Sequence, residues 1–338
     1  MNGLCFNLLA CFFIFNICAA SEVVNYPKHY YVGEIGAQWD FPSDHLPVGA
    51  SIGNVHFAFW NILNKNAIFH LENNLQGLLE SSLISNNVAL MENETITIRE
   101  ILILEMIVKM IEHRTHPRSL IALSEVHRDV IRYLDEILPI NWKLISPTNS
   151  PSCQNVFIYD SNIFEFVDFQ SVNYTLKPSQ SIMTLVLKEK KSQNSYKFIQ
   201  SHIPGGPFAS LYSIKEFAYE VFQQYNPKMT IVVMGDMNTS PKNIAHALTL
   251  EANTKKIFDQ PFQYYPTDYP THIDTNMYAS WIDNLFVHNP SKMNHEITVS
   301  NDPEELFDEL IPIITILKDL EEIAKSYNGI SSKVFGER

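Results

Sequence analysis

The sequence predicts a layered α/β protein in which strands covered by helices stack into one sandwich. Three observations carry that expectation. Short apolar, β-branched runs recur along the chain, segments of helical periodicity lie between them, and the composition supplies a large core. Of the 338 residues, 46% are hydrophobic and only 18% are charged, which excludes a disordered or fibrous chain. With a leader and a tail set aside, about 270 residues remain, a length that one sandwich accommodates.

The leader comes first. Met1 to Ala20 has no charged side chain, and Leu4 to Cys18 is apolar except for Asn7 and Asn16. Small residues follow at Cys18, Ala19, Ala20 and Ser21. This pattern reads as a secretory signal peptide over residues 1–20, so a secreted or periplasmic protein with no stable membrane span is expected. An uncleaved anchor is the alternative, because the run is just short of a spanning helix. Cys5, Cys11 and Cys18 lie in the leader and leave Cys153 alone in the mature chain. An intrachain disulfide and a multi-cysteine zinc site are thereby excluded.

The elements follow in order. Val55 to Trp60 is a strand. Arg99 to His113 is a mostly buried helix with a polar stripe at Glu105, Lys109, Glu112 and His113, opened by a Thr97/Glu100 capping box. Leu120 to Leu123 is a strand, and Val130, Ile131, Leu134, Ile137 and Leu138 line one face of a second helix. Strands are expected at Asn155–Tyr159, Ile182–Leu187 and Phe198–His202. A third helix carries Ile214, Phe217, Ala218, Val221, Phe222 and Tyr225 behind a Ser213/Glu216 box. Thr230 to Met234 is a strand, Ser240-Pro241 opens a fourth helix, and Ser280 to Val287 is a further strand. Asp302 to Lys325 turns helical again, broken at Pro312, which divides the chain into a domain over 21–300 and a helical extension over 301–338.

Six segments end in, or carry, polar groups of the kind that do chemistry at strand ends. They are Trp60-Asn61, Ser124-Glu125, Ser201-His202, Gly235-Asp236-Met237-Asn238, Ile282-Asp283 and Ser43-Asp44-His45-Leu46-Pro47. Each alone has an ordinary structural explanation, such as a turn or an exposed carboxylate. Asp283 is the exception, a carboxylate inside an apolar strand that needs a partner.

Together these segments resemble the endonuclease/exonuclease/phosphatase superfamily, the deoxyribonuclease-I-like fold. The resemblance spans about Asp40 to Val287, with Gly-Asp-x-Asn and Ser-Asp-His-x-Pro as its specific motifs. It implies a two-layered β-sandwich flanked by helices, in four layers α/β/β/α. The order departs from the family in one respect. The Ser-Asp-His segment closes the family's domain, whereas here Asp44 and His45 precede Asn61. The sequence therefore looks circularly permuted, with Leu46–Ile52 as the family's last strand joined to Val55–Trp60 by a Gly53-Asn54 hairpin turn.

The resemblance also implies roles. Glu125 is the principal ligand of Mg²⁺ or Mn²⁺, with Asn61 beside it and Asp44 as a possible second carboxylate. His45 contacts the scissile phosphate or moves a proton, with Asp283 orienting its imidazole. Asp236 positions or deprotonates the attacking water, Asn238 donates to a phosphate oxygen, and His202 binds phosphate or assists the leaving group. Ser124 stands where the family more often has Gln.

The resemblance implies a phosphoester substrate, a nucleic acid or a phospholipid, with a secreted nuclease and a secreted phospholipid phosphodiesterase about equally compatible. An inositol-lipid phosphatase and a catalytically silent secreted binding protein remain as alternatives. The formal net charge of -13 gives no long-range attraction for nucleic acid, although a bound cation reverses the sign locally. Arg114, His116 and Arg118 form one basic cluster, and Phe262 to Tyr269 one aromatic loop, either core edge or a contact surface. Pro204-Gly205-Gly206-Pro207 is a stiff loop shaping the substrate mouth. No protein partner is inferable, and a monomer is expected.

Overall fold

Apolar residues at every second position bury one face of a strand, and here they do so on both sides of two sheets. The computed structural model describes residues 31–32, 38–39, 43, 45–62, 98–147, 153–205, 210–257, 261–267, 271–273, 279–289 and 296–301. In chain order the strands begin with β1 (Tyr31–Val32), β2 (Gln38–Trp39), β3 (Val48–Ile52) and β4 (Val55–Asn61). β5 (Leu120–His127), β6 (Trp142–Ile145), β7 (Cys153–Asp160) and β8 (Phe164–Asn173) follow. Then come β9 (Ser181–Glu189), β10 (Ser195–His202), β11 (Thr230–Asp236) and β12 (Gln263–Tyr264). The last are β13 (His272–Ile273), β14 (Ala279–Ser280), β15 (Asp283–His288) and β16 (Ile297–Ser300). The helices are α1 (Ile98–Ile111), α2 (Arg128–Ile137), α3 (Ser210–Gln223) and α4 (Pro241–Thr254).

The first six-stranded sheet has the order β16-β3-β4-β5-β7-β6 and the second β12-β15-β11-β10-β9-β8. Three apolar clusters mark the contacts between four layers. Phe57, Phe59, Leu120, Ala122 and Phe157 of the first sheet meet Leu185, Leu187, Phe198, Val232, Met234 and Leu285 of the second. On the first sheet's other face, Ala58, Trp60, Ile121 and Leu123 pack against Ile103, Ile107 and Met110 of α1 and Val130, Tyr133 and Leu134 of α2. Ile199, Ile231, Val233 and Phe286 do the same against Ile214, Phe217 and Val221 of α3 and Ile244 and Leu248 of α4. The α/β/β/α sandwich implied by the motifs is the architecture observed.

Two local features matter for the site. β3 and β4 form a hairpin with Ile52 opposite Val55, turned by Gly53 and Asn54. Gly53 has φ 60°, which suits a turn with glycine at its first central position. On its other side β3 pairs with β16, Gly49 facing Ser300 and Ile52 facing Ile297. The chain therefore enters and leaves this sheet side by side.

Several expectations need correction. The third helix begins at Ser210, three residues before the Ser213/Glu216 box. Ser213 is fully buried within it, and Glu216 instead accepts from the Thr175 backbone N–H at 3.0 Å and the Thr175 hydroxyl at 2.6 Å. The strand expected over 280–287 breaks at Trp281-Ile282 into β14 and β15, which belong to different sheets. α4 does start behind Ser240 with Pro241 in its first turn. The leader over 1–20, Thr97, Asp44, Gly206-Pro207 and the helical tail after residue 301 lie outside the described residues. Among the described residues no helix is long and apolar enough to cross a membrane.

Candidate active site

The inward rows of both sheets change from apolar to polar at one end of the sandwich. Phe57 and Phe59 are followed by Asn61, Leu120 and Ala122 by Ser124, Phe198 by Gln200 and His202, and Val232 and Met234 by Asp236. β15 runs the other way, so its row reads Val287, Leu285, then Asp283. Strand alternation thus delivers five polar rows to the same end of the core.

Asp236 is the focus. It lies beside His202 in the parallel β10–β11 register and opposite Asp283 in the antiparallel β11–β15 register. Its Oδ2 accepts from Asn61 Nδ2 at 2.9 Å and lies 3.6 Å from His202 Nε2 and 3.8 Å from His45 Nε2. Its Oδ1 accepts from the backbone N–H of Asn238 at 2.9 Å.

Glu125 reaches the same point by breaking alternation. One residue after inward-facing Ser124, it belongs by parity to the outer face. A register shift between Leu123 and Val126 puts Ser124 and Glu125 opposite the single residue Asn155, a β-bulge. Glu125 has φ 57°, a left-handed conformation that costs a non-glycine residue and is characteristic of functional sites. The bulge turns its carboxylate into the site, where Oε1 lies 3.3 Å from Asn61 Nδ2 and 3.5 Å from His202 Nε2. Asn238, at φ 48°, is the other strained site residue and donates from Nδ2 to the Ile203 carbonyl at 2.8 Å.

His45 is held on all sides. Its Nδ1 lies 2.8 Å from Asp283 Oδ2, its carbonyl accepts from Trp60 Nε1 at 2.9 Å, and its N–H donates to Ser43 Oγ at 3.1 Å. Ser43 Oγ in turn donates to the Asn61 carbonyl at 2.7 Å. Asp283 is buried, and its N–H donates to Thr271 Oγ1 at 2.9 Å. Burial pushes the Asp283 carboxyl up, while the His45 imidazole beside it opposes the rise. The buried acid predicted from the apolar strand therefore has a histidine as its partner.

Of the eight residues singled out, the structure brings together His45, Asn61, Glu125, His202, Asp236, Asn238 and Asp283, while Asp44 lies outside the described residues. Two neighbours carry no sequence signal. Gln180, from the loop after β8, places Nε2 2.8 Å from His202 Nδ1. The His272 ring lies tilted against the His45 ring, centroids 4.6 Å apart, across a β-bridge. Gly235 explains part of the Gly-Asp-x-Asn motif, since a Cβ there would sit 1.8 Å from the Ser201 carbonyl oxygen.

Donor atoms of Glu125, His202 and Asp236 lie within 4.8 Å of one another. Two carboxylates this close repel unless positive charge lies between them, and oxygen donors suit a hard divalent cation. The donor set fits the cation implied by the motifs. Asn61 presents its amide nitrogen to both carboxylates and so acts as a hydrogen-bond donor in this arrangement.

Two other sequence features fall away from the site. Phe262 is buried against α3, and Tyr264 and Tyr265 pack at the core edge, while Tyr269 is outside the described residues. Arg118 and His113 are buried, and with half-buried His56 and exposed His116 they cluster near the N-terminal end of β5, opposite to Glu125.

No protein-family model and no curated protein matches the chain. Solved structures do. A mannosyl-6-phosphatase from Bacteroides thetaiotaomicron matches at 15% identity and TM-score 0.49, covering 70% of this chain and 86% of that one. TDP2 of D. rerio, complexed with a single-strand DNA product, matches at 9% and 0.47, covering 70% and 85%. The chain is also similar in fold to an endonuclease/exonuclease/phosphatase family protein from Bacteroides thetaiotaomicron, at 13% identity and TM-score 0.49 over 71% of this chain and 84% of that one.

Proposed function

We propose that the protein is an exported, divalent-metal-dependent phosphoester hydrolase, circularly permuted relative to its family, acting on phosphodiesters ahead of monoesters. The observation that carries this reading is the convergence of Asn61, His202 and His45 on one buried carboxylate, Asp236, with Glu125 beside it. Permutation is supported by the β3–β4 hairpin, which leads from His45 directly into the strand ending at Asn61.

The reaction is attack of water on phosphorus. A P–O bond forms, the P–O bond to the leaving group breaks, and a proton passes to the leaving oxygen. Mg²⁺ or Mn²⁺, held by Glu125 with Asn61 nearby, would neutralise phosphate charge. Asp236 Oδ2, within 4 Å of both imidazole Nε2 atoms, orients the water and accepts its proton. Asp283 fixes the His45 ring so that Nε2 points toward Asp236 and the phosphate position, and it stabilises the imidazolium form. His202 Nε2, 3.6 Å from Asp236 Oδ2, serves the leaving oxygen, and Asn238 donates to a phosphate oxygen.

The test is hydrolysis of a chromogenic phosphodiester by the full chain in Mg²⁺, Mn²⁺ and EDTA, with plasmid DNA and sphingomyelin in parallel. Turnover that disappears in EDTA and in Asp236→Asn supports the reading, and the preferred substrate names the branch. A folded protein that turns over none of them with either metal refutes it.

A further inference from the structure

The site is assembled from two separate sheets. Asn61 and Glu125 belong to the first, and His202, Asp236 and Asp283 to the second. What joins the sheets is mainly apolar contact, which is non-directional and tolerates sliding. Catalytic geometry has to hold to about 0.5 Å. Something directional is needed near the site, and two carboxamides supply it.

Gln200, on β10 and fully buried, reaches across the interior to the first sheet. Its Nε2 donates to the Leu123 carbonyl at 2.5 Å and lies 3.3 Å from Ser124 Oγ. Asn155, on β7 and buried, crosses in the opposite sense and donates from Nδ2 to the Ser181 carbonyl of β9 at 2.8 Å. Its Oδ1 accepts from Ser124 Oγ at 3.0 Å. Both bridges converge on Ser124, the residue before Glu125, and Asn155 is the residue facing the bulge.

We propose that Gln200 and Asn155 are positioning residues that key the two sheets together through Ser124 and thereby fix Glu125 against His202 and Asp236. This rests on the hydrolase reading only for its catalytic consequence. A second observation separates keying from ordinary packing. Gln200 Oε1 is buried with no hydrogen-bond partner among the described residues. A buried unsatisfied acceptor is destabilising. An element kept against stability beside a functional site is the mark of a positional role. Ser124 also acquires a reason: its short side chain leaves room for Gln200 to reach the Leu123 carbonyl.

Three readouts on Gln200→Met and Asn155→Leu test the proposal. The first needs neither metal nor activity. The Asn61 side-chain amide spans both halves, 3.3 Å from Glu125 Oε1 and 2.9 Å from Asp236 Oδ2, and its NH₂ resonances report their spacing. In Gln200→Met these resonances should move or broaden in a protein that remains folded. The second is Mn²⁺ titration by electron paramagnetic resonance, where affinity should fall about 10–100-fold, as when partners of a metal ligand are lost. The third is the kinetic split, with kcat falling and KM nearly unchanged. Unmoved Asn61 resonances in both folded variants overturn the proposal, as does a Tm loss in both without change in those resonances. A wild-type protein that binds no Mn²⁺ defeats the hydrolase reading instead and leaves the amide readout to decide this one.

Discussion

Two histidines flank Asp236, and their partners differ. His45 is sealed at 4% exposure and leans on a buried carboxylate, Asp283. His202 is half-buried; its Nδ1 faces a neutral carboxamide, Gln180, and its Nε2 the carboxylates of Glu125 and Asp236. At Nδ1 a carboxylate only accepts and so fixes one tautomer, whereas a carboxamide, with both donor and acceptor, orients the ring in either. The two rings are thus set differently, His45 fixed by a buried carboxylate and His202 oriented by a carboxamide. The difference lies in the partner each strand end provides.

The largest effect that sharpens this contrast comes from the sealed pair. His45→Ala and Asp283→Asn should each lower kcat by about 10²–10⁴-fold, with circular dichroism unchanged for the first, measured on a chromogenic phosphodiester. Glu125→Gln comes next. It should cost about 10²-fold in activity and weaken Mn²⁺ binding, read by titration. Gln180→Leu should cost only about 10-fold, since it loosens a ring that keeps its other contacts. If Gln180→Leu proves as damaging as Asp283→Asn, the division of labour between the two histidines is wrong.

The smallest effect involves a third histidine, remote from the site. Burial, and then Arg118, His116 and His113, hold the His56 imidazole down from 6.5 to about 4. Its folded value is depressed, so the unfolded chain binds more protons between these limits. The stability it contributes is present above pH 6.5 and is lost as pH falls through about 4. Because the side chain is only half-buried, screening reduces the effect to on the order of 1 kcal/mol. Denaturant titrations from pH 7 to 4 should show that loss in the wild type and a flatter profile in His56→Gln.

Much of this molecule was legible because its signals are periodic. The strands carrying Asn61, Glu125, His202, Asp236 and Asp283 are buried on both faces, and their apolar runs mark them plainly. β8 was missed for the opposite reason. Glu165, Val167, Asp168 and Ser171 are exposed along an edge strand, so neither alternation nor an apolar run marks it. The Ser213/Glu216 box misled because Glu216 spends its carboxylate on Thr175, far away in sequence. In the site, residues with motif chemistry were found and their supports were not. Gln180, Gln200 and Asn155 act through contacts that no local spacing encodes. Yet the row Phe57, Phe59, Asn61 and its four counterparts show that a polar residue continuing an inward apolar row is itself a readable sign of the site.

The pairing of β16 with β3 has a mechanical consequence. Gly49 faces Ser300, so a pull between the chain before residue 45 and the chain after residue 300 acts on the same end of one antiparallel pair. Such a load opens hydrogen bonds one after another, as a zipper, rather than shearing all of them at once. The first groups to feel it are β16 and the segment that holds His45 against Asp283 and Trp60. Tension on the ends would disarm the site before the sandwich itself gave way.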